Sequence, residues 1–374
     1  MVGRLPVLVP LSRLPGSRRY RLGHQADGAC VFLDENGLCR IHAKFGEQAK
    51  PLACRIYPYA FHPAGRHLAV SLRFSCPSVV SNRGRAVGDQ ADEIKKLARD
   101  AVPAGVSRLP APNITPKEQL DWPDFLRMRD ALDAELAAAE TVHVKLRRAL
   151  FWIDLVEQAT FSKVRGDRLD EFLDLIRQTA SAEIPADIDP TAQPGRSGRM
   201  QFRMLTAQYA RKDTFADRRS GWRGRWKLLQ AAVRFARGTG TVPPLQEVFR
   251  EVPFAALEHP FGGLPAQAEE MFTRYLRVKI QGLHFCGRAY YGVPLVEGFR
   301  SLVLVYPCVM WLSRWLAAGR GRDVLQTEDV ADALAIADHH HGYSPAFGQR
   351  SFRRRVRFLA RLGDIEKLCM WYSR

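Results

Sequence analysis

Four cysteines, Cys30, Cys39, Cys54 and Cys76, fall within 47 residues near the start of a 374-residue chain, with 8, 14 and 21 residues between successive members. The other three, Cys286, Cys308 and Cys369, are scattered over the far end. Thiolates are soft ligands, and four of them suit tetrahedral zinc or an iron–sulfur cluster. The spacing leaves a second reading open. No pair shows the close Cys-x-x-Cys step of ordinary zinc ribbons, and cysteine also serves as a small buried hydrophobe. Two neighbours belong to the same question. His42, three positions after Cys39, is a substitute ligand or a plain packed or solvated side chain. Arg55, directly after Cys54, offsets thiolate charge and donates to sulfur, or forms a surface ion pair.

Bringing such ligands together takes loops and tight turns. Cys30–Leu33 and Leu38–His42 read as strand-like pieces joined through Asp34-Glu35-Asn36-Gly37, whose Asn-Gly step is a strong hairpin signal. Lys50–Pro63 is punctuated by prolines and reads as an irregular loop with about one helical turn. Leu68, Val70, Leu72 and Phe74 alternate with Ala69, Ser71, Arg73 and Ser75, the pattern of a half-buried strand. A unit of this kind carries little apolar mass and needs a staple or a host domain.

Beyond it the chain changes character. A helix is expected over Asp89–Asp100, followed by a Pro/Ala-rich linker over Val102–Asn113. Thr115-Pro116-Lys117-Glu118 has the form of a capping box with Pro at the first helical position, so it predicts a helix start. Three- and four-residue apolar steps then predict helices over Trp122–Glu140, Val142–Phe161 and Asp167–Ala180. Further helices are expected over Arg199–Lys212, Asp217–Arg237, Pro265–His284, Val296–Ala317, Val324–His339 and Gln349–Leu362. The expected fold class is α+β, mainly α. A small loop-rich cysteine domain with short strands occupies residues 1–90, a linker 91–114, and an α-helical domain 115–374.

Composition narrows the function classes. A formal net charge of +17 favours an acidic protein or another polyanion as partner, although an arginine-rich composition alone also produces it. No secretory signal is expected, because Pro6 and Pro10 interrupt the apolar, basic start and no small-residue cleavage site follows. Ser301–Ser313 is apolar but shorter than the roughly 20 residues a spanning helix needs, so it reads as a core helix rather than a membrane span. A cytoplasmic, reducing setting follows, in which clustered cysteines hold metal rather than disulfides. The chain contains no P-loop, Gly-x-Ser-x-Gly, His-Glu-x-x-His or Gly-x-Gly-x-x-Gly signature.

Four cysteine-containing words occur in order. They are Asp27-Gly-Ala-Cys30-Val-Phe-Leu, Gly37-Leu-Cys39-Arg-Ile-His42, Lys50-Pro51 to Cys54-Arg55-Ile-Tyr57-Pro58, and Arg73-Phe74-Ser-Cys76-Pro77. Together, over about residues 24–85, they resemble the YkgJ-type cysteine-cluster family, a zinc- or iron-chelating domain also found in flagellin lysine N-methylases. The resemblance implies that Cys30, Cys39, Cys54 and Cys76 are metal or iron–sulfur ligands. The family opens with a further, tightly spaced cysteine group, whereas Met1–Ala29 has none, which predicts a start upstream of Met1.

A looser resemblance to the C-terminal helices of flagellin lysine N-methylases rests on Phe272-Thr-Arg-Tyr275-Leu-Arg277, Phe299-Arg300 to Tyr306, Thr327–Val330 and His339-His340-His341. It implies an enzyme that methylates protein lysines with S-adenosylmethionine, and a pocket built from Tyr275, Arg277, Arg300, Tyr306 and His341. The alternative is core tyrosines and surface arginines. Of the three consecutive histidines, at most two can share a helix face.

Arg196–Arg237 holds 12 Lys/Arg against Asp213 and Asp217, interleaved with Phe202, Tyr209, Phe215, Trp222, Trp226 and Phe235. Basic residues with aromatics are what single-stranded nucleic acid takes. The helical spacing of Trp222, Trp226 and Phe235 also fits a core stripe, with Arg219, Arg223 and Arg234 left as a solvated face.

Overall fold

The computed structural model describes residues 8–10, 20–25, 29–186, 193–211 and 221–374. Asp27, Gly28, Asp213, Phe215, Asp217 and Arg219, which enter the sequence arguments above, lie outside them. The chain divides into two compact units: Met1–Tyr57 with Glu93–Ala101, and Pro58–Asp92 with Val102–Arg374. The partition differs from the expected boundaries at 90 and 114, since residues 58–92 belong to the larger unit.

The smaller unit has short elements. Strands β1 (Leu8–Pro10) and β2 (Tyr20–Leu22) pair antiparallel. The Asn36-Gly37 turn forms as its residues dictate. Gly37 takes the left-handed φ of 75°, and the Asp34 carboxylate accepts the backbone N–H groups of Asn36 and Leu38 at 2.9 and 2.8 Å. The flanking strands shrink to single bridges, Leu33 with Cys39 and His24 with Cys30. The expected second strand through His42 is instead helix α1 (Arg40–Phe45), and helix α2 (Leu52–Ile56) follows. Neither helix buries a side chain fully, so little packing holds them.

Among the described residues the larger unit is helical apart from one hairpin, in which β3 (Tyr59–Ala64) pairs antiparallel with β4 (His67–Leu72), Tyr59 opposite Leu72. Among the described residues the architecture is mainly α with two-stranded antiparallel pairs. Helices α3 (Pro77–Val80) and α4 (Ala91–Ala101) come next, α4 running from one unit into the other. The Thr115 box makes its cap, the hydroxyl accepting from Lys117 and Glu118 N–H at 3.3 and 3.1 Å, yet no helix follows. The Glu118 carboxylate is spent on the Phe161 N–H, and its carbonyl closes the turn onto Ile114. Helix α5 (Trp122–Leu136) starts instead at Asp121, whose side chain caps Asp124 with Pro123 in the first turn.

The remaining helices match the apolar periodicity closely: α6 (Val142–Gln158), α7 (Asp167–Glu183), α8 (Arg196–Ala210), α9 (Trp222–Arg237) and α10 (Ala266–Gln281). The single helix expected over Val296–Ala317 is two, α11 (Leu295–Val303) and α12 (Val305–Gly319). Pro307 gives the reason: it has no N–H for the Val303 carbonyl and its ring crowds that turn. Helices α13 (Thr327–His340), α14 (Arg350–Arg361) and α15 (Asp364–Tyr372) complete the unit, the last not foreseen from the sequence.

Helix α12 is the centre of the core, with every residue from Val305 to Ala317 buried. Leu295–Gly319 is long and apolar enough to cross a membrane, and 89% of its apolar window is buried inside the protein. Arg314 is fully buried there and donates to the carbonyls of Leu257, Tyr372 and Arg374 at 3.1, 3.0 and 2.8 Å. One guanidinium thus ties the last turn of the chain to the core.

Candidate functional site

In the smaller unit, Cys30, Cys39 and Cys54 are free thiols. Cys30 lies on its bridge to His24, Cys39 at the start of α1 and Cys54 within α2. Burial raises the Cys54 thiol, the charges of Cys30 and Cys39 raise it further, and Lys50 opposes them. Cys30 and Cys39 thus lie near enough to Cys54 to oppose its ionisation. Among the described residues, however, no three His, Cys, Asp or Glu side chains meet closely enough to form a ready metal site. Arg55 is occupied by an ion pair with Asp100 at 3.2 Å, and His42 is exposed on α1. Cys76 belongs to the larger unit, where it caps α3 and its carbonyl accepts the Val79 and Val80 N–H groups.

The larger unit contains a buried ionic centre that the sequence reading did not isolate. Lys279 of α10 and Asp338 of α13 are both 0% exposed and pair at 2.5 Å. The Lys279 ammonium also donates to the Leu72 carbonyl at 3.1 Å and to His284 Nδ1 at 3.3 Å. An ammonium only donates, so His284 Nδ1 accepts and the proton of this neutral ring sits on Nε2. The second Asp338 oxygen accepts the Ser75 N–H at 3.1 Å. Rings close around the pair. His62 stacks on His284 at 4.8 Å, Tyr343 meets His284 edge-on, and Arg73 lies 3.9 Å over the Tyr343 ring.

Electrostatics follow from burial. Desolvation is the largest influence on each group and the Lys279 charge the next on the imidazoles. His62 is pulled down to about 4, His341 to about 3, and His284 well below the ordinary histidine range. Lys279 is lowered because desolvation outweighs the attraction of Asp338. All three imidazoles are therefore neutral at neutral pH, each able to donate from one nitrogen and accept on the other.

The five residues of the implied C-terminal pocket separate. Tyr275 and His341 reach the buried centre: Tyr275 packs edge-on to Phe74, and His341 Nδ1 meets the Tyr209 hydroxyl at 2.8 Å with Tyr290 stacked on it. Tyr306 is a core ring against Phe272. Arg277 makes a two-pronged pair with Asp133 of α5 at 3.0 and 2.9 Å, and Arg300 bridges Asp154 and Glu157 of α6, each at 2.6 Å. These arginines tie helices together. None of the five lines the clefts of about 630 and about 250 Å³ in this unit.

Lys279 was legible in principle. It falls on the apolar stripe Phe272, Tyr275, Leu276, Lys279, Ile280, and a lysine there implies a buried partner. Asp338 and His62 carry no such signal, because their partners Lys279 and His284 lie 59 and 222 residues away along the chain (338 − 279 and 284 − 62).

No family model matches the chain, and no solved structure matches it. Over 54 residues it is 37% identical to the flagellar biosynthetic protein FliU of Salmonella muenchen. That stretch covers 14% of this chain and 32% of the other, about a third of the relative's length.

Proposed function

We propose that the chain is a cysteine-cluster protein that binds zinc or an iron–sulfur centre through Cys30, Cys39 and Cys54. The family resemblance also implies Cys76, which belongs to the other unit. The observation that carries the reading is three free thiols on short, thinly packed elements, with Cys30 and Cys39 near enough to Cys54 to oppose its ionisation. Elements with so few buried contacts shift at little free-energy cost, which the reading needs, since the thiols must close on the ion. The donor set is of the soft kind that both centres take, and a bound centre would supply charge and, for iron–sulfur, a redox couple. Protein purified without oxygen is expected to carry zinc or to show iron–sulfur absorption, and Cys54→Ser to lower the metal content. Colourless, metal-free protein sinks the reading.

A second reading is a protein-lysine N-methylase using S-adenosylmethionine. It takes support from the partial likeness to a flagellar biosynthetic protein and from Tyr275 and His341 both lying near the buried Lys279. Calorimetry with S-adenosylmethionine tests it, and absence of heat of binding removes it.

A further inference from the structure

Helix α9 carries an apolar stripe on the outside of the molecule. Trp222, Trp226, Leu229 and Val233 are 80, 51, 54 and 42% exposed. Their spacing of 4, 3 and 4 residues places all four on one helical face within about 60°. The Trp rings stack on one another, with centroids 6.1 Å apart and planes 19° from parallel. Core anchoring comes from the opposite face, where Phe235 is buried against Phe254, Trp311 and Trp315. This corrects the expectation of a common core stripe: Phe235 is core, whereas Trp222 and Trp226 are surface.

The charges beside the stripe have one sign. The 16 residues of α9 include five Lys/Arg and no Asp/Glu. On its flank a cleft of about 630 Å³ is lined, among the described residues, by Arg211, Lys227 and Arg234 with the acid Glu251. The Arg211 Nε is enclosed and has no partner among the described residues. An amphipathic helix with tryptophans on one face and cations at its flanks is the form that lies in the plane of a bilayer interface. Indole rings favour the headgroup level, and the cations meet acidic headgroups.

We propose that α9 docks the protein onto an anionic membrane surface. Trp222, Trp226, Leu229 and Val233 enter the interface, and Arg211, Lys227 and Arg234 take the acidic headgroups. Nucleic acid fits less well. Bases would use the two indoles, whereas the aliphatic half of the stripe, Leu229 and Val233, offers them no stacking surface.

The test is co-sedimentation of the full chain with vesicles of phosphatidylcholine alone and of phosphatidylcholine mixed with phosphatidylglycerol. Binding is expected to the mixed vesicles only and to fall with salt. Lys227→Gln/Arg234→Gln is expected to weaken it roughly twenty-five-fold, at about fivefold per basic residue. Trp226→Glu/Leu229→Glu is expected to abolish it with unchanged melting, because these side chains lie outside the core. Brominated acyl chains should quench tryptophan emission, and Trp222→Phe/Trp226→Phe should remove that quenching. Equal binding to both vesicle types, or binding unmoved by both double variants, overturns the proposal. So does preference for a single-stranded oligonucleotide over vesicles, or a dimer that Trp226→Glu/Leu229→Glu dissolves.

Discussion

At the scale of the residue, the cysteines and histidines make opposite statements about protons. The raised Cys54 thiol means that its thiolate forms only above the ordinary thiol range in the metal-free protein. Alkylation of Cys54 should therefore show a higher pH midpoint than the same cysteine in a peptide. Cys30→Ser/Cys39→Ser should bring that midpoint down, since it removes two charges that resist ionisation. A midpoint indifferent to both substitutions would mean that burial alone acts. For the histidines the sign runs the other way. His62, His284 and His341 are neutral in the fold at pH values where unfolded histidine is already charged. Between about pH 6.5 and the folded values of about 4 and about 3, the unfolded chain binds more protons, so stability falls as pH falls. Denaturant melts are expected to lose on the order of a few kcal/mol across that window, and less for His62→Gln. A flat profile would place these rings in contact with solvent.

At the scale of the element, two of the five residues implied by the looser resemblance, Arg277 and Arg300, form ion pairs between helices. Lys279→Met leaves Asp338 charged and buried without its partner, and a loss of about 3–5 kcal/mol is expected. Adding Asp338→Leu should recover most of it, because a packed apolar pair can match a buried ionic one. If the double variant is no better than the single, the carboxylate has a role beyond neutralising Lys279. Arg314→Met takes the guanidinium from the carbonyls of Leu257, Tyr372 and Arg374, and a cost of about 3 kcal/mol is expected in the same melts. The two arginines on the rim of the helices are milder cases. Arg300 satisfies two partly exposed acids, so Arg300→Gln should cost about 1 kcal/mol or less.

At the scale of the whole molecule, the two units differ in what stabilises them. The larger one has an apolar interior centred on α12, whereas among the described residues of the smaller few side chains beyond Val31 and Ile94 are buried. Such a unit is the kind that a metal staples. Chelation or thiol oxidation is thus expected to expose residues 29–57 to limited proteolysis while the larger unit survives. Equal resistance before and after chelation would show that no metal supports the smaller unit.

What the sequence determined by itself is local. Apolar steps at three and four residues located α5 to α8 and α10 to within a few positions, since helix hydrogen bonds and side-chain faces are set by near neighbours. Asn36-Gly37 determined its turn for the same reason. The Thr115 box misled because Glu118 had a distant use, the Phe161 N–H, for the carboxylate that a helix start would have employed. The cysteine words marked the candidate metal ligands, but only the fold assigned three to one compact unit and Cys76 to the other. Trp222 and Trp226 carry the periodicity of a core stripe, and periodicity says which residues share a face without saying what that face meets. The Lys279–Asp338–His284 centre was likewise decided by tertiary structure alone. Burial of a charge depends on the partner brought to it from elsewhere in the chain, and no local pattern encodes that partner.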